Sequence, residues 1–247
     1  MDIRSPKRIS NLLDRVRRVR SEGEVEVLFQ EMRAPTGALT VAFINAHSVN
    51  LCWKCDKISA DFGNADILLR DGKGVEVLLE SIGKEPGLNL NGTDLIPKFL
   101  RFVKGCRISV YGTSEPWLLR ACRKLSLEGH EIVSQLDGFK TETDYLSDAI
   151  ENEPRVILLA MGMPKQEKVA RFLRQNLVDC NVTIICGGAI VDFVAGRFPR
   201  APEWMRKRGL EWLFRFLQEP IRLCKRYLLG NVLFLFRIHK VKRVLNL

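Results

Sequence analysis

In the segment ADILLRDGKG a carboxylate, Asp71, stands between a short apolar run and a glycine. That order fits a strand leaving on an Asp-Gly turn. The turn either presents Asp71 as a base at the mouth of a sheet or is merely shaped by it. Three further segments pair the end of an apolar run with residues that handle anions. In VYGTSEPWLL, Gly112 and Thr113 precede a helix-like stretch, so backbone N–H groups at a helix start form a cradle for phosphate. The pattern is not G-x-G-x-x-G and does not by itself specify a nucleotide. In LLAMGMPKQEKVA, Gly162 is followed by Lys165, Gln166 and Glu167 in the first turn of a helix opened by Pro164. These three either meet a ligand or cap the helix. In CGGAIVDFVAGRFPRAP, Gly187 and Gly188 let a backbone approach closely. Asp192, just beyond them, is either a ligand contact or the buried partner of an arginine.

Other chemistries find no footing. There is no D-x-D to hold a divalent ion, no P-loop and no G-x-S-x-G. Cys52 and Cys55 form one CxxC with no second pair at zinc spacing, and His47, His130 and His239 are scattered. Small core residues and reduced thiols are the simple account of the seven cysteines. The expectation is therefore no metal site and no cofactor. A diphosphate bound here would be met by Arg, Lys and helix N-termini.

Charge is distributed very unevenly. From position 197 to 247 there are 13 Lys/Arg against 3 Asp/Glu, which equals the whole net charge of +10; the preceding 196 residues are neutral. The basic tail interleaves its cations with Trp, Phe, Leu and Ile, which points to an anionic partner: a membrane surface, a phosphorylated substrate or nucleic acid. No apolar run approaches the ~18 residues of a membrane span. In the last part of the tail, Cys224, Leu228, Leu235 and Ile238 are expected on one face, with Lys225, Arg226, Arg237 and Lys240 opposite, as in a helix lying within an interface. Nucleic-acid binding is the rival, with aromatic residues stacking bases. The neutral body and the aliphatic company of the tail's aromatics disfavour it.

Positioning these residues requires a regular scaffold. LTVAFINA (39–46), ADILL (65–69), RISVYG (107–112), EIVSQL (131–136), VILLAMG (156–162) and VTIICGG (182–188) read as strands. The helix-like stretches GKGVEVLLESIG, EPWLLRACRKLSLEG and PKQEKVARFLRQNL lie between them. This alternation predicts an α/β, Rossmann-like fold: a mostly parallel sheet with helices on both faces, plus a basic C-terminal helical appendage. Ligands of such sheets bind beyond the carboxyl ends of the strands. The composition shift near residue 196 divides a catalytic domain (1–196) from the appendage (197–247).

In order, the phrases DGKGVEVLLESIGKE…NGTDL, YGTSEPWL…KL, DGF, AMGMPKQEK and GGAIVDFVAGRFPRAPEWMRKRGLEWLFRFLQEPIRLCKRYLLGN resemble the WecG/TagA/CpsF glycosyltransferases, from about Leu39 to about Asn231. The resemblance implies inverting, metal-independent transfer of a sugar from a UDP-sugar to a polyprenyl-diphosphate-linked saccharide. It places this step at the cytoplasmic face of a bacterial membrane, in surface polysaccharide synthesis, with the appendage meeting the anionic membrane and completing the active site. It assigns the base to Asp71, the P-K-Q-E glutamine to Gln166, and appendage arginines to Arg215 and Arg222, with Lys225 or Arg226 in a further basic position. Asp94 of NGTDL and Arg200 of GRFPRAP join Asn45, Gly112, Thr113, Gly162, Lys165, Gly187, Gly188 and Asp192 as implied substrate contacts. Many members have Thr-x-Asn before the Asp; here it is Phe43, Ile44, Asn45, which leaves the donor sugar open, whether hexose, N-acetylhexosamine or uronic acid. Assembly with further copies of the chain also stays open.

Overall fold

A computed structural model describes residues 3–245; the outermost positions of the two expected domains, 1–2 and 246–247, lie outside the described residues. The chain opens with α1 (Arg4–Asp14) and α2 (Glu22–Arg33). It continues through β1 (Ala38–Ile44), α3 (Ala46–Lys54), α4 (Asp56–Gly63), β2 (Ile67–Arg70), α5 (Lys73–Ser81), α6 (Gly92–Phe102) and β3 (Arg107–Gly112). Next come α7 (Trp117–Leu127), β4 (Glu131–Leu136), α8 (Glu142–Asn152), β5 (Val156–Ala160), α9 (Lys165–Asn176), β6 (Val182–Cys186) and α10 (Ile190–Val194). The tail forms α11 (Glu203–Lys207), α12 (Glu211–Gln218), α13 (Pro220–Cys224), a π-helical turn (Lys225–Leu229) and α14 (Gly230–Val244).

The six strands make one sheet in the order β2-β1-β6-β5-β3-β4, with every pair parallel. The fold is the expected α/β, Rossmann-like one. The period of two divides each strand between two cores. Ala42, Ile44 and Leu68 face α1, α3, α5, α9 and α14, while Val41, Phe43, Ile67 and Leu69 face α2, α6, α7 and α10. Burial on both faces explains why β5 reads as an unbroken apolar run and β6 as one broken only by Thr183.

The tail departs from its expected pattern in one respect. It does not present one wholly apolar face outward. Phe234 and Val241 of α14 enter the core, and so does Arg237, expected on the polar face. The Arg237 guanidinium donates to the backbone oxygen of Asn50 (3.2 Å) and to its side chain, and lies 5.3 Å from the Trp53 ring. Leu228 and Leu235 are exposed, as an interface-facing side requires, together with Ile221, Leu229, Val232 and Phe236, whereas Ile238, expected beside them, packs against the core. Periodicity alone failed because the π-helical turn changes the phase between α13 and α14, and because the arginine's stem and planar head can be packed and hydrogen-bonded.

Candidate active site

The carboxyl ends of the strands gather most of the predicted residues along one edge of the sheet. At its β1/β2 corner, Asn45 caps α3: its Oδ1 accepts from the backbone of His47 (3.0 Å) and Ser48 (3.1 Å). That leaves Nδ2 free to donate to Asp71 Oδ2 at 3.0 Å. The Asp71 backbone N–H is tied to Ile44 O at 2.9 Å, which fixes the start of the turn. Gly72 takes a left-handed conformation (φ 87°), and its N–H is held by Asn89 Oδ1 at 2.8 Å. Beneath the turn, buried Arg70 donates to Glu76 (2.9 Å) and to the carbonyls of Pro86 (3.2 Å) and Gly87 (2.8 Å). The turn is therefore anchored independently of the Asp71 carboxylate.

Burial pushes the Asp71 carboxyl up, while the Asn45 hydrogen bond and the charges of Arg226, Arg215 and Arg70 pull it down. Two of those arginines come from the tail. Arg226, carried by the π-helical turn, is half-buried, and its buried Nε has no hydrogen-bond partner. Burial disfavours its charge, and neighbouring Arg215 and Arg222 add to that. A polyanion placed there would relieve the strain. Arg215 projects from α12, 5.3 Å from the Phe193 ring of α10. Arg222 is exposed and pairs with Glu219 one turn earlier. Of the two candidates for the further basic position, Arg226 faces Asp71 and Lys225 is exposed to solvent.

A second tail contact lies alongside. Asp94, in the first turn of α6, accepts from Asn91 (2.8 Å), Arg200 (2.7 Å) and Arg206 (3.5 Å). Burial alone would raise the Asp94 carboxyl, but these partners outweigh it and hold it below the usual range. Arg200 also lies 3.6 Å from Glu211 of α12. Glu211 is lifted by burial, against the pull of Arg200, and the nearby Asp71 and Asp94 charges add to the rise.

Along the β3/β5/β6 part of the edge the polar side chains answer one another. Thr113, itself left-handed (φ 50°), donates from Oγ1 to Asp192 at 2.7 Å. Arg197 pairs with the same Asp192 oxygen at 3.2 Å, so Asp192 is an arginine's partner. Gly112 is required because a Cβ there would lie 2.3 Å from the backbone of Ala160. Lys165 donates to the carbonyls of Gly138 (2.8 Å) and Lys140 (3.1 Å), holding the DGF loop. Gln166 is fully buried; its Nε2 donates to Glu167 (2.8 Å) and its Oε1 accepts from Gly188 N (3.0 Å). Gly162, with φ 78°, lets its carbonyl accept the N–H of Gln166 at 3.1 Å. Gly187 packs against Ile190.

Sequence reasoning missed Glu211, Arg206 and His47. Glu211 and Arg206 lie inside the tail motif but carry no spacing signal. His47 lies next to the capping pair, and burial together with Arg226 drives it down to about 4, so it is a neutral imidazole near neutral pH. Among the described residues no three His, Cys, Asp or Glu side chains converge as metal ligands.

The fold is that of a Rossmann-like α/β protein, with a half-buried carboxylate at the carboxyl edge of a doubly covered parallel sheet, faced by guanidiniums from a basic tail. Residues 11–246 match the family model of the glycosyl transferase WecG/TagA/CpsF family, and the chain belongs to that family. Two bacterial relatives are named N-acetylglucosaminyldiphosphoundecaprenol N-acetyl-beta-D-mannosaminyltransferase. The one from Bacillus spizizenii is 29% identical over 171 residues, covering 67% of this chain and 66% of the relative. The one from Bacillus subtilis is 28% identical over 164 residues, covering 64% of this chain and 63% of the relative. The aligned stretch thus spans just under two thirds of these relatives' length.

Proposed function

We propose that this protein transfers a sugar from a UDP-sugar to a polyprenyl-diphosphate-linked saccharide with inversion at the anomeric carbon. The observation that carries this reading is the Asp71 carboxylate, oriented by Asn45 and faced by Arg226 and Arg215 from the tail. In the step, the acceptor hydroxyl oxygen attacks the anomeric carbon and its proton passes to Asp71. The bond from that carbon to the β-phosphate oxygen breaks, and its electron pair leaves on UDP. The developing charge falls where Arg226 and Arg215 stand, so guanidiniums take the part a metal ion plays elsewhere. The cradle at Gly112–Thr113 and Gly187–Gly188 offers backbone to the donor. The relatives' names make an N-acetylglucosamine-diphosphoundecaprenol the first acceptor to test.

The tail also supports contact with a membrane. Ile221 is 96% and Phe236 66% exposed, and they share the tail's outer surface with Leu228, Leu229, Val232 and Leu235 beside Arg222, Lys225 and Lys240. Among the described residues no helix is long and apolar enough to cross a bilayer. A peripheral helix with acyl-facing aliphatics and flanking cations suits an anionic leaflet, the cytoplasmic one under this reading. The test is transfer from a panel of UDP-sugars to a short-chain diphosphate-linked N-acetylglucosamine, with and without EDTA. Product with an inverted linkage, formed in EDTA, is expected. No transfer from any UDP-sugar, or complete Mg²⁺-reversible loss in EDTA, would overturn the corresponding part.

A further inference from the structure

Under the Gly187–Gly188 turn lies a buried polar cluster that the transfer step does not use. Gln166 is 0% and Glu167 1% exposed. The chain of contacts runs from the Glu167 carboxylate to the Gln166 amide and on to the Gly188 N–H, while the Cys186 thiol reaches Gln166 O at 3.8 Å. On the far side of Glu167 is a cavity of about 10 Å³, lined by Asp61, Arg171, Thr40 and Cys186. Glu167 Oε2, Asp61 Oδ1 and Arg171 Nε lie buried there without hydrogen bonds, although Asp61 and Arg171 form an ion pair at 3.0 Å.

A primary amide has two ends of nearly the same shape but opposite hydrogen-bonding sense. Which end of Gln166 meets the Gly188 N–H is decided by what its other end meets. An ionised Glu167 can only accept, so it draws Nε2 and leaves Oε1 for Gly188. A protonated Glu167 can also donate, which admits the flipped amide and sets Nε2 against the Gly188 N–H. We propose that Glu167 is a positioning residue whose charge sets the orientation of Gln166 and thereby holds or loosens the Gly187–Gly188 turn at the carboxyl end of β6.

The surroundings place this change where it matters. Burial lifts Glu167 to about 7, and the Asp61 charge on α4 adds to the rise, against the Gln166 hydrogen bond. Arg171 and Lys168 from α9, with Lys57, bear on Asp61 from the other side. The thiols of Cys52 on α3 and Cys186 on β6 are both raised by burial and then by Glu167, so they stay neutral here. Ionised, Glu167 locks the turn; protonated, it keeps an accepting carbonyl oxygen but no longer forbids the flipped amide, so the hold on the turn weakens. Only the consequence for donor binding rests on the glycosyltransferase reading.

The test follows the Gly188 amide of the full chain by ¹⁵N NMR from about pH 5.5 to 8.5, with exchange corrected for its intrinsic pH dependence. The Gly188 resonance is expected to titrate with a midpoint near 7 and to lose protection several-fold on the acid side. Glu167→Gln, which keeps an acceptor, should abolish the titration. Should that variant fail to fold, Asp61→Asn serves instead and should move the midpoint down. A Gly188 titration unchanged in Glu167→Gln (or in Asp61→Asn), or a flat Gly188 signal in the native chain, would overturn the proposal. In a parallel arm, UDP affinity should follow the same midpoint in the native chain and lose it in Glu167→Gln. UDP failing to bind at any pH would remove the proposed donor while leaving the Gly188 result to decide the role of Glu167.

Discussion

The two halves of the strand edge are built on opposite plans. Around β3, β5 and β6 the polar groups answer one another: Thr113 with Asp192, Asp192 with Arg197, Lys165 with loop carbonyls, Gln166 with Gly188. At the β1/β2 corner charges are left partly unanswered: Asp71 has one hydrogen bond from Asn45, and Arg226 has a buried nitrogen with no partner. The first half is a backbone shape whose side chains are already paired. The second holds charge in reserve for groups that arrive with the substrates. Under the proposed function, preorganised binding and reactive chemistry are thus separated along one edge by how completely their side chains are paired.

The sharpest way to break this contrast is Asp71→Asn. It should lower turnover by roughly 10²–10⁴-fold with little loss of fold, because the Ile44, Asn89 and Arg70 contacts hold the turn without the carboxylate. Thermal unfolding together with single-turnover transfer checks it; normal turnover would move the base elsewhere. Since burial raises Asp71, native activity should fall as pH drops through that raised value, an acid limb above the usual aspartate range. His47 is already neutral down to about 4 and should not shape that limb.

Next in size is the difference between two arginines seven and eleven residues beyond Arg215. Arg226→Gln should cut transfer by about 10–10³-fold, since it removes charge from beside the leaving group. Arg222→Gln, exposed and already paired with Glu219, should cost under about tenfold. Equal losses in a kcat comparison would mean that the closed site draws Arg222 inward.

A smaller effect separates chemistry from anchoring. Leu229→Glu or Phe236→Glu, on the exposed surface, should weaken sedimentation with anionic vesicles by about tenfold and leave transfer to a water-soluble acceptor unchanged. Loss of soluble turnover would show that this surface belongs to the catalytic wall. Smallest of all, Asp192→Ala should weaken UDP binding several-fold through the loosened Thr113 loop, at about 0.5–1 kcal/mol for the half-buried hydrogen bond, measurable by calorimetry.

The strands and their order of appearance could be read from apolar runs ending in Gly or Asp, because a parallel sheet buried on both faces leaves that mark. Asp71 and the glycine loops followed from their place at those ends. The tail was legible only in its charge. Its pairing with the body is a matter of three-dimensional approach: Arg200 and Arg206 reach Asp94 over more than a hundred residues, and Glu211 sits among them. Helical period could not foresee that Arg237 would be buried on Asn50 and Trp53. Nor could it show that Gln166 would face inward, since a first-turn Gln is as often a cap.

The π-helical turn at Lys225–Leu229 bears on how this segment can vary. From Pro220 to Val244 the helix is a single shaft with a phase shifter in it. Within the shifter, Arg226 bears on Asp71; beyond it, Phe234, Arg237 and Val241 are keyed into the core, with Gly230 O held by Asn50 at 2.7 Å. Removing one residue within the turn would restore an ordinary helix and keep nearly all its hydrogen bonds. It would also swing Arg226 by about 100° against the keyed half. The segment should therefore accept many substitutions but no change of length.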